Sequence, residues 1–211
     1  METHVPDRDD IVNAALALAE HTHWESVRLH DVADSMGIDL ETIRSQFREK
    51  DDIAEAWFDR ADRSMLVAAS ATGFSDATAD ERVQRLIFTW LDTLGVHRRV
   101  TRQIILGKLE FGHLHVQIPA LLRISRTVQW LREAAARDAA GLARALDETG
   151  LTAIFVTTFV RWLIDDSPGN QDTHQLLTRL MRAAQCCLPD SRIARPPTPL
   201  RATTSEHSRS A

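Results

Sequence analysis

Apolar residues recur along almost the whole chain at the three- and four-residue spacing of helix faces. Ile11, Ala14, Ala15 and Leu18 fill the i, i+3, i+4, i+7 positions of one short amphipathic helix, and Leu29, Val32, Ala33 and Met36 fill them in a second. Gly37 suits the positive φ of a helix C-cap, and Asp39 is a good N-cap for the next segment, Leu40 to Phe47. The pattern therefore predicts helix, tight turn, helix. A fourth helix is expected from near Asp51, where Asp51 and Asp52 suit the positive end of the helix dipole, to about Thr72. Gly73, Ser75 and Asp76 mark a break. Further helices are expected over Ala79 to Leu94, Arg98 to Phe111, Pro119 to about Leu146, Leu151 to Ile164, and Gln171 to Leu188, with breaks at Gly95, Gly112, Gly150 and Asp165 to Gly169.

Composition supports an all-α fold of about nine helices. Glycine (8) and proline (7) are scarce, and apolar residues make up 44% of 211, enough for a sizeable core. From Pro189 the chain is rich in Pro, Ser, Thr and Arg without apolar periodicity, so 189–211 reads as a disordered tail. The N-terminus has no apolar signal region, and the longest apolar stretch, Leu151 to Ile164, is too short to span a bilayer. A cytoplasmic protein without membrane insertion is expected. Cys186 and Cys187 are adjacent, a spacing that disfavours a bridge within a helix, and read as reduced helix residues.

The stretch Asp31 to Ile53, DVADSMGIDLETIRSQFREKDDI, resembles the helix-turn-helix of TetR-family regulators without a gap. The matching positions are Asp31, Val32, Ala33, Gly37, Ile38, Thr42, Ile43, Phe47, Lys50, Asp51, Asp52 and Ile53, preceded by Ala14, Ala15 and Leu16 in the first helix. The resemblance implies a three-helix DNA-binding domain over 1–50 and a helical ligand-binding and dimerising domain over 51–188. It implies a ligand-responsive transcriptional regulator, a repressor, acting as a homodimer on a double-stranded operator. The outward residues Arg28, Thr42, Arg44, Ser45, Gln46, Arg48 and Lys50 are the expected DNA contacts, while Met36, Ile38, Ile43 and Phe47 face the core.

Two features depart from the family. The usual Gly-Thr-apolar-Tyr of the recognition helix is here Glu41-Thr42-Ile43-Arg44, so Arg44 replaces a phosphate-contacting tyrosine and Glu41 brings a carboxylate that repels phosphate. Residues 1–63 also hold sixteen Asp and Glu against seven Arg and Lys, a net −9, against +4 for the remainder. Such a head is the wrong sign for strong non-specific DNA binding. A second resemblance runs from Trp162 to Ser167 and through Asp172, Thr173, Leu176 and Leu177, which is similar to TetR-fold proteins that bind lipids for ubiquinone biosynthesis. It implies the alternative of a lipid- or isoprenoid-binding accessory protein that does not bind DNA.

For the body, an unknown small apolar or amphipathic ligand is expected between walls drawn from Met65, Phe88, Trp90, Phe111, Trp130 and Phe155, with His113 and His115 as polar anchors. The segment Leu151 to Leu163 is apolar on more than one face. It points to a dimer interface that includes Phe155, Phe159, Trp162, Leu176 and Leu180. No cofactor or metal is expected, since the two histidines lack further ligands at metal spacing, and no nucleophile elbow or phosphate loop supports an enzyme.

Overall fold

A computed structural model describes residues 6–109, 114–136 and 141–187. Among these residues there are nine α-helices and no strand. Helix α1, Arg8–His21, starts earlier than the apolar periodicity suggests, because Asp7 and Asp10 cap it reciprocally: each carboxylate accepts the other's backbone N–H, at 2.8 and 3.0 Å. It buries Ile11, Val12, Ala15, Leu16 and Ala19. A single 3-10 turn, Trp24–Ser26, leads into α2, Leu29–Met36. Gly37 then adopts φ +66, where its N–H satisfies carbonyls of the last turn, and Asp39 caps α3, Leu40–Gln46, by accepting Thr42 N–H at 2.7 Å. A Cβ at position 37 would be strained by that φ even though nothing crowds it.

Helix α4, Lys50–Ala69, joins the two parts of the molecule. It packs on α1 and along α5, Ala79–Gly95, whose start is fixed by a Thr78–Glu81 capping box. Helices α6, Arg98–Leu109, α7, Leu114–Ala134, α8, Gly141–Leu163, and α9, Gln171–Cys187, complete the body. The core of the body is an aromatic cluster centred on Trp90, with Phe155 and Phe159 edge-on at 5.0 and 5.3 Å and Phe58 stacked at 6.2 Å.

The expected break at Gly150 is corrected: Gly150 lies inside α8. An interior glycine costs a helix only about 1 kcal/mol relative to alanine, and the burial of Leu151, Ile154 and Phe155 just after it outweighs that. The expected helix from Pro119 to Leu146 instead begins at Leu114 and ends at Ala134, after which Ala136 turns to φ +50. The expected tail, 189–211, lies outside the described residues, as do the side chains of Cys186 and Cys187.

The turn between α8 and α9 is organised by Asp165, which is buried. Its carboxylate accepts Ser167 N–H at 2.9 Å, Thr173 N–H at 2.8 Å and both hydroxyls. Burial opposes its ionisation, but these four donors outweigh burial and hold the carboxyl well below the usual carboxylate range. Arg98 closes the same turn, donating to the carbonyls of Trp162 and Asp165 and to Asn170 Oδ1. Asp165→Ala, which strands one buried and one half-buried N–H group, is expected to lower stability by about 2–4 kcal/mol. In the native chain this contribution is complete above the ordinary carboxylate pKa and is lost as pH falls through the depressed one. Denaturant unfolding at pH 7 and pH 3 should therefore show the variant's deficit shrinking at the lower pH.

Candidate nucleic-acid interface

The helix-turn-helix presents one polar edge. Ile43 and Phe47 are buried, with Met36 and Ile38 packed against the core, so the opposite side of α3 faces solvent. Arg44 and Ser45 are exposed there, and Thr42 and Gln46 are half-buried at its margins. Thr42 Oγ1 donates to Asp39 at 2.6 Å, and those bonds from Thr42 keep the Asp39 carboxyl below its ordinary range. Gln46 Nε2 donates to the Pro6 carbonyl at 2.9 Å. Arg8 lies 4.1 Å over the Phe47 ring and donates to the Gln46 carbonyl, so the C-terminal end of α3 is tied to the start of α1.

The cations at this edge differ in their freedom. Arg28, at the start of α2, is exposed. Arg44 pairs with Glu41 at 3.0 Å, and Arg48 pairs with Asp52 through Nε and Nη2, both at 3.2 Å. Lys50 Nζ donates to the carbonyls of Trp24 and Glu25, each at 3.2 Å, which leaves one ammonium proton for any other acceptor. Lys50 is thereby anchored in the 3-10 turn.

The structure also accounts for the acidity of the first 63 residues. Asp9 is paired with Arg60 and Arg63 of α4, and Glu20 with His97 and Arg99. Glu55 meets Lys108 at 2.9 Å, and Arg123 of α7 reaches Asp59, Asp62 and, at 3.7 Å, Glu55. Asp7, Asp10, Asp31 and Asp39 engage backbone N–H groups at helix starts. Much of the surplus negative charge thus faces helices of the body or satisfies caps, away from the outer side of α3.

Contacts that sequence reasoning missed tie α6 to the helix-turn-helix and to α4. Trp24 N–H donates to Gln103 Oε1 of α6 at 2.8 Å, and Trp57 Nε1 to Thr101 Oγ1 of the same helix at 3.0 Å. The Glu25 carboxylate lies so near Gly107 that a Cβ there would stand 2.5 Å from it. Partners separated by tens of residues leave no local signal in one sequence.

The expected pocket walls are only partly brought together. Met65, Trp90 and Phe155 lie in the packed core, but Phe88 is half-buried and stacks on His174 in a surface groove of about 550 Å³. Trp130, 47% exposed, lies apart from this packed core. Phe111, His113 and the His115 side chain lie outside the described residues. The expected dimer interface needs correction as well. Phe155, Phe159 and Trp162 are buried within the single chain, where they pack on Trp90 and one another, so they are not available to a partner. Leu176 and Leu180 are half-buried. The outer side of α8 instead carries Thr149, Ala153, Thr157 and Val160, with Ile164 just past its end, all exposed at spacings of four, four, three and four residues.

Comparison with known structures defines the class. A TetR transcriptional regulator from Nitrosomonas europaea ATCC 19718 is 49% identical, covers 86% of this chain and 98% of its own, and superposes with a TM-score of 0.76. The same fold recurs in a TetR regulator from Rhodococcus sp. RHA1, at 20% identity, 86% and 97% coverage and TM-score 0.63. It recurs in a TetR-family regulator from Streptomyces coelicolor, at 16% identity, 85% and 82% coverage and TM-score 0.59. No family model matches the chain, and no curated protein does. The protein is a helix-turn-helix transcriptional regulator. It belongs to the TetR family.

The lipid-binding alternative is not favoured by these relatives. The residues that suggested it have a structural account, since Asp165, Ser167 and Thr173 form the buried cap of the α8–α9 turn. Among the described residues no helix is long and apolar enough to cross a membrane.

Proposed function

We propose that the chain acts in the cytoplasm as a homodimeric repressor. Its two helix-turn-helix units bind a double-stranded operator through Arg28, Thr42, Arg44, Ser45, Gln46, Arg48 and Lys50, and an apolar or amphipathic small molecule in the body changes that binding. The division is a DNA-binding domain over 1–50 and a ligand-binding and dimerising domain over 51–188, and no catalytic role is assigned. The observation that carries the DNA assignment is the engagement of the head's acids away from α3. The exposed side of α3 carries Arg44, paired with Glu41, and Ser45, while Asp9, Glu20, Glu55, Asp59 and Asp62 are engaged by Arg60, Arg63, Arg99, Lys108 and Arg123. Coupling to a ligand is supported by the contacts of α6 with Trp24 and Glu25. A molecule that binds better to one placement of α6 favours the matching placement of the helix-turn-helix.

Electrophoretic mobility shift with the protein's own upstream region at low salt tests this reading; absence of binding to any duplex under those conditions rejects it. Within it, Lys50→Ala is expected to weaken binding to all sequences alike and to lower the salt slope by roughly one unit. An unchanged slope would mean that Lys50 serves only to hold the Trp24 and Glu25 carbonyls.

A further inference from the structure

The recognition helix carries a carboxylate and a guanidinium that already touch. Arg44 Nε donates to Glu41 Oε2 at 3.0 Å, and both side chains are largely exposed, at 74% and 70%. Three residues of helix advance about 4.5 Å, close to the roughly 3.4 Å between base pairs. Two groups joined at that spacing on one exposed face meet neighbouring base pairs. A guanidinium suits the N7 and O6 acceptors of guanine. A carboxylate in the major groove can only accept. Adenine sets an acceptor, N7, beside its amine and so repels it, whereas cytosine offers its N4 amine alone.

We propose that Glu41 and Arg44 read DNA as one unit, so that each operator half-site contains two consecutive G·C pairs. Arg44 takes N7 and O6 of the guanine in one pair, Glu41 accepts from the cytosine amine of the other, and the ion pair between them stays closed. The inference rests on the reading of α3 as the helix that enters the major groove. It gives the acidic residue a function. On random sequence Glu41 meets phosphate or a base acceptor and is repelled, which lowers non-specific affinity; on the operator the same charge is satisfied. Arg48, paired with Asp52 through the backbone as well as the side chain, is restrained in a similar manner beside it.

The test begins with selection of binding sites by the full-length protein from a pool of randomised duplexes, where consecutive G·C pairs are expected in each half-site. The selected cytosine is then replaced by 2-pyrimidinone, which lacks the N4 amine, and the selected guanine by 7-deazaguanine. Loss of the amine is expected to weaken binding by the unaltered protein about fivefold, the lower end for one lost base contact. Arg44→Ala is expected to lose roughly 5- to 150-fold on the selected site. Glu41→Ala should bind the cytosine and 2-pyrimidinone duplexes equally and bind unrelated duplex more tightly than the native chain. Selected half-sites without consecutive G·C pairs, or native binding indifferent to the amine, would overturn the paired reading. Failure of the native chain to bind any duplex would overturn the DNA-binding assignment itself.

Discussion

Arg123→Ala is expected to destabilise the chain by about 3–5 kcal/mol near neutral pH, with a smaller loss in acid. Arg123 is buried on α7 and donates to Asp62 Oδ2 at 2.8 Å, to Asp59, and lies 3.7 Å from Glu55. Asp62 is equally buried and also accepts from Trp90 Nε1 at 2.7 Å and Thr127 Oγ1 at 3.0 Å. Burial raises the Asp62 carboxyl above its ordinary range, and the Arg123 charge pulls it part of the way back. Removal of Arg123 leaves an unpaired carboxylate in the core and raises that pKa further. A carboxyl with a raised folded-state pKa has no charge to bury below its unfolded pKa of about 4. It loses stability as pH climbs from there through the folded value. Denaturant unfolding at pH 4.5 and 7.5 should therefore give a deficit that grows with pH, and adding Asp62→Asn should recover most of it at pH 7.5. Equal deficits at the two pH values would mean that lost packing on Phe58, 5.8 Å from the guanidinium, rather than charge, is the cause.

The helix-turn-helix was legible because its signals are local. Gly37 ends one helix, Asp39 starts the next, and the burial of Ile43 and Phe47 follows from their spacing. Glu41 and Arg44 were legible only separately, as outward residues of α3; the 3.0 Å pair between them came from the structure. The long-range ties were hidden. Trp24 and Gln103, Glu55 and Lys108, and Asp62 and Arg123 meet only through the tertiary fold. Composition accordingly gave a head of −9 without showing that α6 and α7 supply the cations facing its acids. Local punctuation also misled where burial overrode it, as at Gly150 inside α8. In α8 itself the apolar residues occupy several faces, and periodicity alone does not say which face is core. The aromatic side chains went inward and the smaller Val160 and Ile164 outward.

That division of α8 sets the second large effect. Val160→Glu combined with Ile164→Glu is expected to convert a dimer into a folded monomer, whereas Phe155→Glu is expected to give insoluble protein. Val160 and Ile164 are each 52% exposed, so a charge there leaves the single chain's core intact and alters its stability little. In a dimer paired through α8 and α9 the same charges are buried against their symmetry mates, and four uncompensated carboxylates at a two-fold axis repel as well as desolvate. Phe155 differs because it is 2% exposed and packs edge-on against Trp90; a charge there breaks the chain before any partner is involved. Sedimentation at micromolar concentration should give the native protein near twice its 23.7 kDa mass and the double variant near that mass, with the helical circular dichroism of both alike. The functional consequence is larger than the structural one. Two linked heads on a palindromic operator bind with an avidity about 10²–10⁴ above one head alone. The folded monomer should lose roughly that factor on the full operator while its affinity for an isolated half-site stays the same. A double variant that remains dimeric would place the pairing surface away from Val160 and Ile164, and a native chain that sediments as a monomer would remove the two-headed reading of the operator altogether.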